Sequence, residues 1–213
     1  MIKEFYYEGV RDEMTSFLPK NYMKVLEIGC AKGGFRAHLK NDCEYWGIEP
    51  NQEVSKIATL KLNYVLTGTF DEVYNSLPND FFDLVICNDV IEHMNDHHLF
   101  YKKIQKKCTT QCYIVGSLPN VRYIMNLYEL LFSKNWKYRE EGILDKTHLR
   151  FFTLKSIQED FQLFNYEVEK LHGINPISFS KRTIYGLKMS FLQKVLGQDT
   201  LYLQFGFRIR LKS

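Results

Sequence analysis

The run Val25-Leu26-Glu27-Ile28-Gly29-Cys30-Ala31-Lys32-Gly33-Gly34-Phe35 constrains this chain more than any other. Apolar residues lead directly into a cluster of small ones. That is how a buried strand enters a tight turn and then a helix. The glycines let a ligand approach the backbone where a Cβ would collide. A second apolar run, Tyr45-Trp46-Gly47-Ile48, ends on Glu49, twenty residues after Gly29. Strand, glycine turn, helix, strand and terminal acid make half of a nucleotide-binding α/β unit, whose acid accepts both hydroxyls of a ribose. The ligand class is therefore adenosine-like.

The rest of the chain continues the alternation. The patterns predict strands at 24–28, 44–48, 63–67, 82–88, 111–117, 166–172 and 203–211. They predict a leading amphipathic helix over 3–18 ended by Pro19, a helix from Gly34, and one over 51–60. A loop and helix follow over 68–77. Asn95 or Asp96 caps a helix reaching Cys108. A further helix carries Val121, Ile124, Met125, Tyr128, Leu131 and Phe132 on one face, with Tyr128 and Phe132 as core. Thr153 caps another bearing Leu154, Ile157, Phe161 and Phe164. The alternation argues for a mostly parallel sheet covered on both faces. The 213 residues form one domain: an N-terminal helix in 1–20, a cofactor-binding half in 25–119, and a substrate-side half in 120–213. Within the last, 173–202 fits no regular unit and reads as an insertion or lid.

Composition excludes several classes. No apolar run approaches the roughly 18 to 20 residues of a bilayer span, and the N-terminus lacks the form of a signal peptide. The five cysteines, odd in number and scattered, read as reduced thiols of a cytoplasmic protein. Residues 1–119 hold 13 basic and 16 acidic side chains, residues 120–213 hold 15 and 9. A basic second half suits an anionic substrate as well as it suits ordinary surface charge. No dense Lys/Arg block with interleaved aromatics appears, so a nucleic-acid groove is not expected.

Two cofactors compete for the glycine turn. Gly29, Ala31 and Gly34 give only a degenerate dinucleotide fingerprint. Glu27, two residues before Gly29, would repel a pyrophosphate but suits the cationic amino group of S-adenosylmethionine. Glu27-x-Gly29-x-Ala31-x-Gly33 follows that second pattern with one glycine replaced by alanine.

At this point the chain resembles the class I S-adenosylmethionine-dependent methyltransferases, and more narrowly the group related to ubiquinone-biosynthesis O-methyltransferases. Four segments carry the resemblance: Val25–Phe35, Gly47-Ile48-Glu49-Pro50, Phe82–Met94 with its Glu92-His93 step, and Gly116-Ser117-Leu118-Pro119-Asn120-Val121. The run Glu141–Thr153 is similar to a segment of relatives encoded with bacterial surface-polysaccharide genes. The resemblance implies a Rossmann-like, doubly wound fold with a seven-stranded, mostly parallel sheet and an antiparallel last strand. It implies that Glu27, Gly29, Cys30, Ala31, Gly33 and Phe35 surround the methionine and ribose of S-adenosyl-L-methionine. Glu49 would grip the ribose, Pro50 lie along the adenine, and Thr69 and Phe70 reach the adenine edge. Asn88, Asp89 and Val90 would line the reaction centre. Thr69 stands where the family commonly has an acid.

Methyl transfer from a sulfonium is an in-line displacement that needs positioning and removal of the acceptor proton. His148 is the first candidate base, with Asp145 three residues away to orient it, and His93 is the second. His93 and His97 have helical ligand spacing, but companion acids and a fourth ligand are not evident, so no metal is expected. Trp136 and Tyr138 are candidates to stack on a sugar ring. The expected reaction is O-methylation of a sugar or glycan hydroxyl. The alternatives are a phenolic or quinone-type acceptor, or a cofactor-binding subunit without activity. Base-amine methylation is disfavoured, because Asn88-Asp89-Val90-Ile91 stands where that chemistry uses Asn/Asp-Pro-Pro-aromatic. Oligomeric state is not legible.

Overall fold

A computed structural model describes residues 10–180 and 182–212. Its sheet holds β1 (Lys24–Ile28), β2 (Glu44–Glu49), β3 (Tyr64–Thr67), β4 (Phe82–Asn88), β5 (Cys108–Pro119), β6 (Tyr166–Pro176) and β7 (Tyr202–Leu211). The spatial order is β3-β2-β1-β4-β5-β7-β6. β7 runs antiparallel between β5 and β6, and the other pairings are parallel. This is the expected Rossmann-like sheet with its reversed last strand.

The two-residue period of the strands sorts the core into two layers. Leu26, Ile28, Val85 and Cys87 face Phe100 and Ile104 of α3 (His97–Gln105) and Ile157 and Phe161 of α5 (Leu154–Leu163). Val25, Leu84 and Ile86 point the other way, onto Met14, Phe17, Phe35 and Ala58. Ala58 ends α1 (Gln52–Ala58), whose first turn is capped by Asn51 accepting from the amides of Glu53 and Val54. Thr153 and Ser156 form the capping box of α5. With both faces covered, ligands are left the carboxyl edge of the strands.

Several expectations are corrected. Residues 3–9 of the leading helix lie outside the described residues, and Asp12–Phe17 is a 3-10 helix. The helix after the glycine turn is likewise a 3-10 helix, Gly34–His38. α3 ends at Gln105 and Cys108 opens β5, because the carbonyls of Lys106 and Lys107 accept from the amides of Asp80, Phe81 and Phe82 and turn the chain into the sheet. In α4 (Ile124–Phe132) only Ile124 is buried, while Leu131 and Phe132 are exposed, so Phe132 is not core. The segment 173–202 is not irregular: β6 extends to Pro176, and α6 (Ile184–Leu196) follows. Only Gly186 and Met189 of α6 are buried, so its pattern does not announce a core helix.

The 3-10 helix Asp12–Phe17 crosses the sheet at Gly206, where a Cβ would sit 2.4 Å from the Phe17 ring. That close approach is what Gly206 permits. All five cysteines are free and buried. Among the described residues no helix is long and apolar enough to cross a membrane.

Candidate active site

The glycine turn is a backbone construction. The amides of Gly29 and Cys30 donate to the Ile48 carbonyl at 2.8 and 3.0 Å, and that of Gly33 donates to Cys30 at 2.8 Å. Gly29, Ala31 and Gly33 adopt φ of 72°, 47° and 71°. Ala31 thus keeps the left-handed geometry without the glycine that makes it easy. A Cβ on Gly29 would lie 2.7 Å from Val90, so the turn touches the loop after β4.

Two buried acids flank this turn. Glu49 reaches back to accept from the Ala31 amide at 3.1 Å and forward to accept from the Asn51 amide at 2.9 Å. Burial raises its pKa and these two bonds oppose the rise. Each of its oxygens keeps a lone pair for a further donor. Glu27 accepts a hydrogen bond from the Tyr45 hydroxyl. Burial pushes its pKa up to about 7, with Tyr45 opposing and the charge of Glu49 adding to the rise. The two carboxyls therefore feel each other across one turn, and both raise the pKa of the buried Cys30 thiol after burial itself.

The other predicted cofactor residues divide by side chain. Phe35 and Phe70 are buried in the two core layers, Phe70 packing edge-on to Phe100 at 5.1 Å, so their rings support the site from beneath. Thr69 caps α2 (Phe70–Val73) in a reciprocal box with Glu72, which occupies its hydroxyl. Pro50 is exposed beside Glu49. At the end of β4 both amide atoms of Asn88 are buried without a partner. Buried polar groups are rarely left so, and an orphan at a strand's carboxyl end marks a place for a ligand.

Asp89 is fully engaged. Its carboxylate pairs with Arg11 and accepts from Ser117 Oγ at 2.8 Å and Gln204 Nε2 at 2.7 Å. Sequence reasoning did not find Arg11, since nothing local distinguishes an arginine in the leading segment. Its carboxylate partners keep its pKa raised although burial opposes them.

The two candidate bases meet. Their rings lie 4.7 Å apart, edge to face. Asp145 does not orient His148, which corrects the expectation from their spacing. The Asp145 carboxylate accepts from the Thr147 amide at 2.7 Å and from the Thr147 hydroxyl at 2.6 Å. The Thr147 oxygen lies 3.0 Å from Nδ1 of His93, so Asp145 acts on His93 through Thr147. With the Thr147 hydroxyl proton given to Asp145, His93 donates through Nδ1 and its Nε2 is the basic atom. That Nε2 is buried and unpartnered. Burial first, then the neighbouring His148, lowers the His93 pKa, which keeps it neutral at pH 7. His148 is oriented instead by the Ile143 carbonyl, 2.9 Å from its Nδ1.

Glu92, noticed in the sequence only as the neighbour of His93, closes the group. It is fully buried, neither carboxyl oxygen has a partner, and Oε1 lies 3.9 Å from His148 Nε2. Burial and then Asp89 push its pKa well up. Its carbonyl accepts the amides of Leu149 and Arg150 and staples the 145–150 loop to the end of β4. Among the described residues two groups have a metal-ligand donor set: Glu92, His93 and His148, and His97, His98 and Asp160. A cavity of about 550 Å³ is lined by Tyr123, Met125, Asn126, Tyr128, Arg139 and Ile143; it meets His148 only through Ile143, whose carbonyl contacts the ring.

A glycine turn between two acids, on the carboxyl edge of a parallel sheet with a reversed last strand, defines a nucleoside-binding transferase. A model of the methyltransferase domain family matches residues 2–171, and the chain belongs to that family, the S-adenosylmethionine-dependent methyltransferases. S-adenosyl-L-methionine is its cofactor, and the open turn and the orphaned Asn88 amide fit such a ligand. Solved methyltransferases share the fold. One from Archaeoglobus fulgidus has a TM-score of 0.66 at 19% identity, covering 97% of this chain and 93% of that one. One from Aquifex aeolicus has a TM-score of 0.61 at 12% identity, covering 97% and 91%. A release factor glutamine methyltransferase of Buchnera aphidicola is 23% identical over 155 residues, 68% of this chain. The chain spans 55% of the length of that relative.

Proposed function

We propose that this methyltransferase acts on a hydroxyl of a sugar or glycan, and that His93 removes the acceptor proton. The observation that carries the reading is the Asp145–Thr147–His93 chain, which ends in a buried, unpartnered Nε2. In this reading Glu27 faces the cationic amino group of the methionine. The turn from Gly29 to Gly33, with Cys30 and Ala31, lies against the sugar and methionine. Glu49 accepts the ribose hydroxyls through its free lone pairs, Pro50 lies along the adenine, and the backbone at Thr69 and Phe70 meets its edge. Asn88 supplies its amide to the methionine end, with Asp89 and Val90 beside it.

The bound cofactor supplies a methyl group on a positively charged sulfur. The protein supplies the rest. The cavity lined by Ile143 orients the acceptor, and the unpartnered Nδ2 of Asn126 on its wall offers a donor to a hydroxyl or carbonyl oxygen. Tyr123 and Tyr128 offer aromatic faces. His93 Nε2 takes the hydroxyl proton as the oxygen attacks, and the Thr147 relay holds the imidazolium that results. His148 stands ready as a second acceptor of the same proton, and its loop faces the same cavity through Ile143.

The test is turnover with a panel of nucleotide sugars, free glycans and phenols, read by mass gain of one methyl group. Turnover of phenols alone would overturn the sugar reading. A second reading rests on the orphaned oxygens of Glu92 beside two histidines: Glu92, His93 and His148 would hold a divalent cation, which would supply Lewis-acid polarisation of the acceptor hydroxyl. Loss of activity on chelation, with recovery on adding metal back, would decide for it.

A further inference from the structure

The surface of α6 breaks the usual rule for a helix packed on a sheet. Ile184, Leu187, Phe191 and Val195 are 76, 54, 69 and 66% exposed. At about 100° per residue they fall in one narrow stripe. The exposed Lys188 and Lys194 lie on either side of that stripe. Gly186 and Met189 occupy the inward face, so the helix is already seated and its apolar stripe points away from the protein. It is also firmly held. Thr183 caps it by accepting from the Gly186 amide, Arg122 donates to the Leu196 carbonyl at 2.6 Å, and the Tyr185 hydroxyl meets Met125 Sδ at 3.6 Å. The stripe is therefore not an ill-packed core helix. α4, whose Met125 meets Tyr185, also exposes Leu131 and Phe132 at its far end. Scattered exposed leucines need no explanation, whereas an ordered stripe of this size does.

Charge says what covers it. From residue 170 to 198 the sequence contains Lys170, Lys181, Arg182, Lys188 and Lys194 and no acid. A second copy of the chain, docked stripe to stripe about a two-fold, would face Lys188 and Lys194 with cations of the same kind. A helix of 13 residues is about 20 Å long, too short for a hydrocarbon core of about 30 Å, and suited to lying along its surface. Apolar residues in the centre with lysines at both borders is the arrangement of an interfacial helix, its stems buried and its ammonium groups at the phosphates.

We propose that α6 docks this enzyme on an anionic phospholipid surface. Phe191, Leu187, Ile184 and Val195 enter the boundary between headgroups and acyl chains, and Lys188 and Lys194 pair with lipid phosphates. Met125, which Tyr185 on the flank of α6 touches, also lines the cavity that reaches Ile143. The proposal rests on surface geometry and charge and stands apart from the identity of the acceptor.

The experiment is flotation of the full chain with vesicles of phosphatidylcholine alone, or of phosphatidylcholine mixed with phosphatidylglycerol, at low and high salt. The chain is expected to float with the mixed vesicles at low salt, and to partition at least about tenfold less onto phosphatidylcholine alone. Lys188→Glu and Lys194→Glu each lower partitioning by about fivefold or more. Phe191→Glu lowers it by about ten- to a hundredfold. All three variants retain the wild-type melting temperature and affinity for S-adenosylhomocysteine. Failure of the wild-type chain to float with anionic vesicles at low salt overturns the proposal. So does equal flotation of Phe191→Glu. Self-association of the chain, abolished by Phe191→Glu and unaccompanied by flotation, assigns the stripe to a second copy and overturns it equally.

Discussion

The two halves of the edge are held by different means. On the side of β1 and β2 the site is main chain: the amides of Gly29, Cys30, Gly33 and Ala31 are spent on Ile48, Cys30 and Glu49, and the turn has little freedom. On the side of β5 and β7 it is side chain against side chain: Asp145 on Thr147, Thr147 on His93, Arg11 on Asp89, Gln204 on Asp89. A donor pocket made of backbone tolerates changes of sequence around it. An acceptor pocket made of side chains is redrawn by single substitutions. A family that keeps one methyl donor and varies the acceptor is served by that division.

The sharpest way to break the comparison is to attack each half and read binding apart from turnover. On the proposed reading Glu49→Ala removes the carboxylate that accepts from the ribose, and it is expected to weaken S-adenosylhomocysteine binding by about a hundred- to a thousandfold, measured by calorimetry. His93→Gln leaves that affinity intact and lowers kcat by about a hundred- to ten-thousandfold. His148→Gln has the smaller effect of the two. If His148→Gln is the more damaging, the relay through Thr147 is not the catalytic one.

Glu27 offers a test in pH. Its ordinary pKa of 4.5 rises to about 7 on folding. The folded chain keeps a proton that the unfolded chain has already released, so stability falls as pH rises between those two values, and the loss is complete above about 7. The shift corresponds to about 3 kcal/mol. The ligand-free protein is expected to melt at a lower temperature at pH 8 than at pH 5 through this group, and Glu27→Gln is expected to flatten that slope. A smaller effect is expected at Ala31, whose φ of 47° is awkward for any residue with a Cβ. Ala31→Gly is expected to stabilise by about 0.5 to 1 kcal/mol in denaturant unfolding. Smallest of all, Phe132→Gln on the exposed end of α4 is expected to shift stability by less than about 0.5 kcal/mol.

The same division explains what could be read from the chain. The inner strands were legible because strands buried on both faces are written as apolar runs, as in Phe82-Asp83-Leu84-Val85-Ile86-Cys87, and β7 was legible by its alternation. Glu27, the glycine turn and Glu49 were legible because their spacing is local. The partner of Asp145 was not: the carboxylate prefers the amide and hydroxyl two residues on to the imidazole three residues on, a choice made by turn geometry. Arg11 reaches Asp89 across 78 positions, and no local pattern announces such a contact. α4 and α6 misled for another reason. The apolar residues of α4 predict one inward face, while Leu131 and Phe132 face out; α6 turns its apolar residues outward, so no core pattern announces it and its segment reads as an insertion.

The place of β7 in the sheet has a consequence for how the polypeptide matures during translation. β6 emerges first, yet among the described strands it pairs with β7 alone, and β7 must slide in beside β5 to join it to the rest. Until then β6 has no neighbour, and Asp89 lacks Gln204. The turn after β1 needs neither strand, whereas the edge beside β5 closes only once both β6 and β7 have been synthesised.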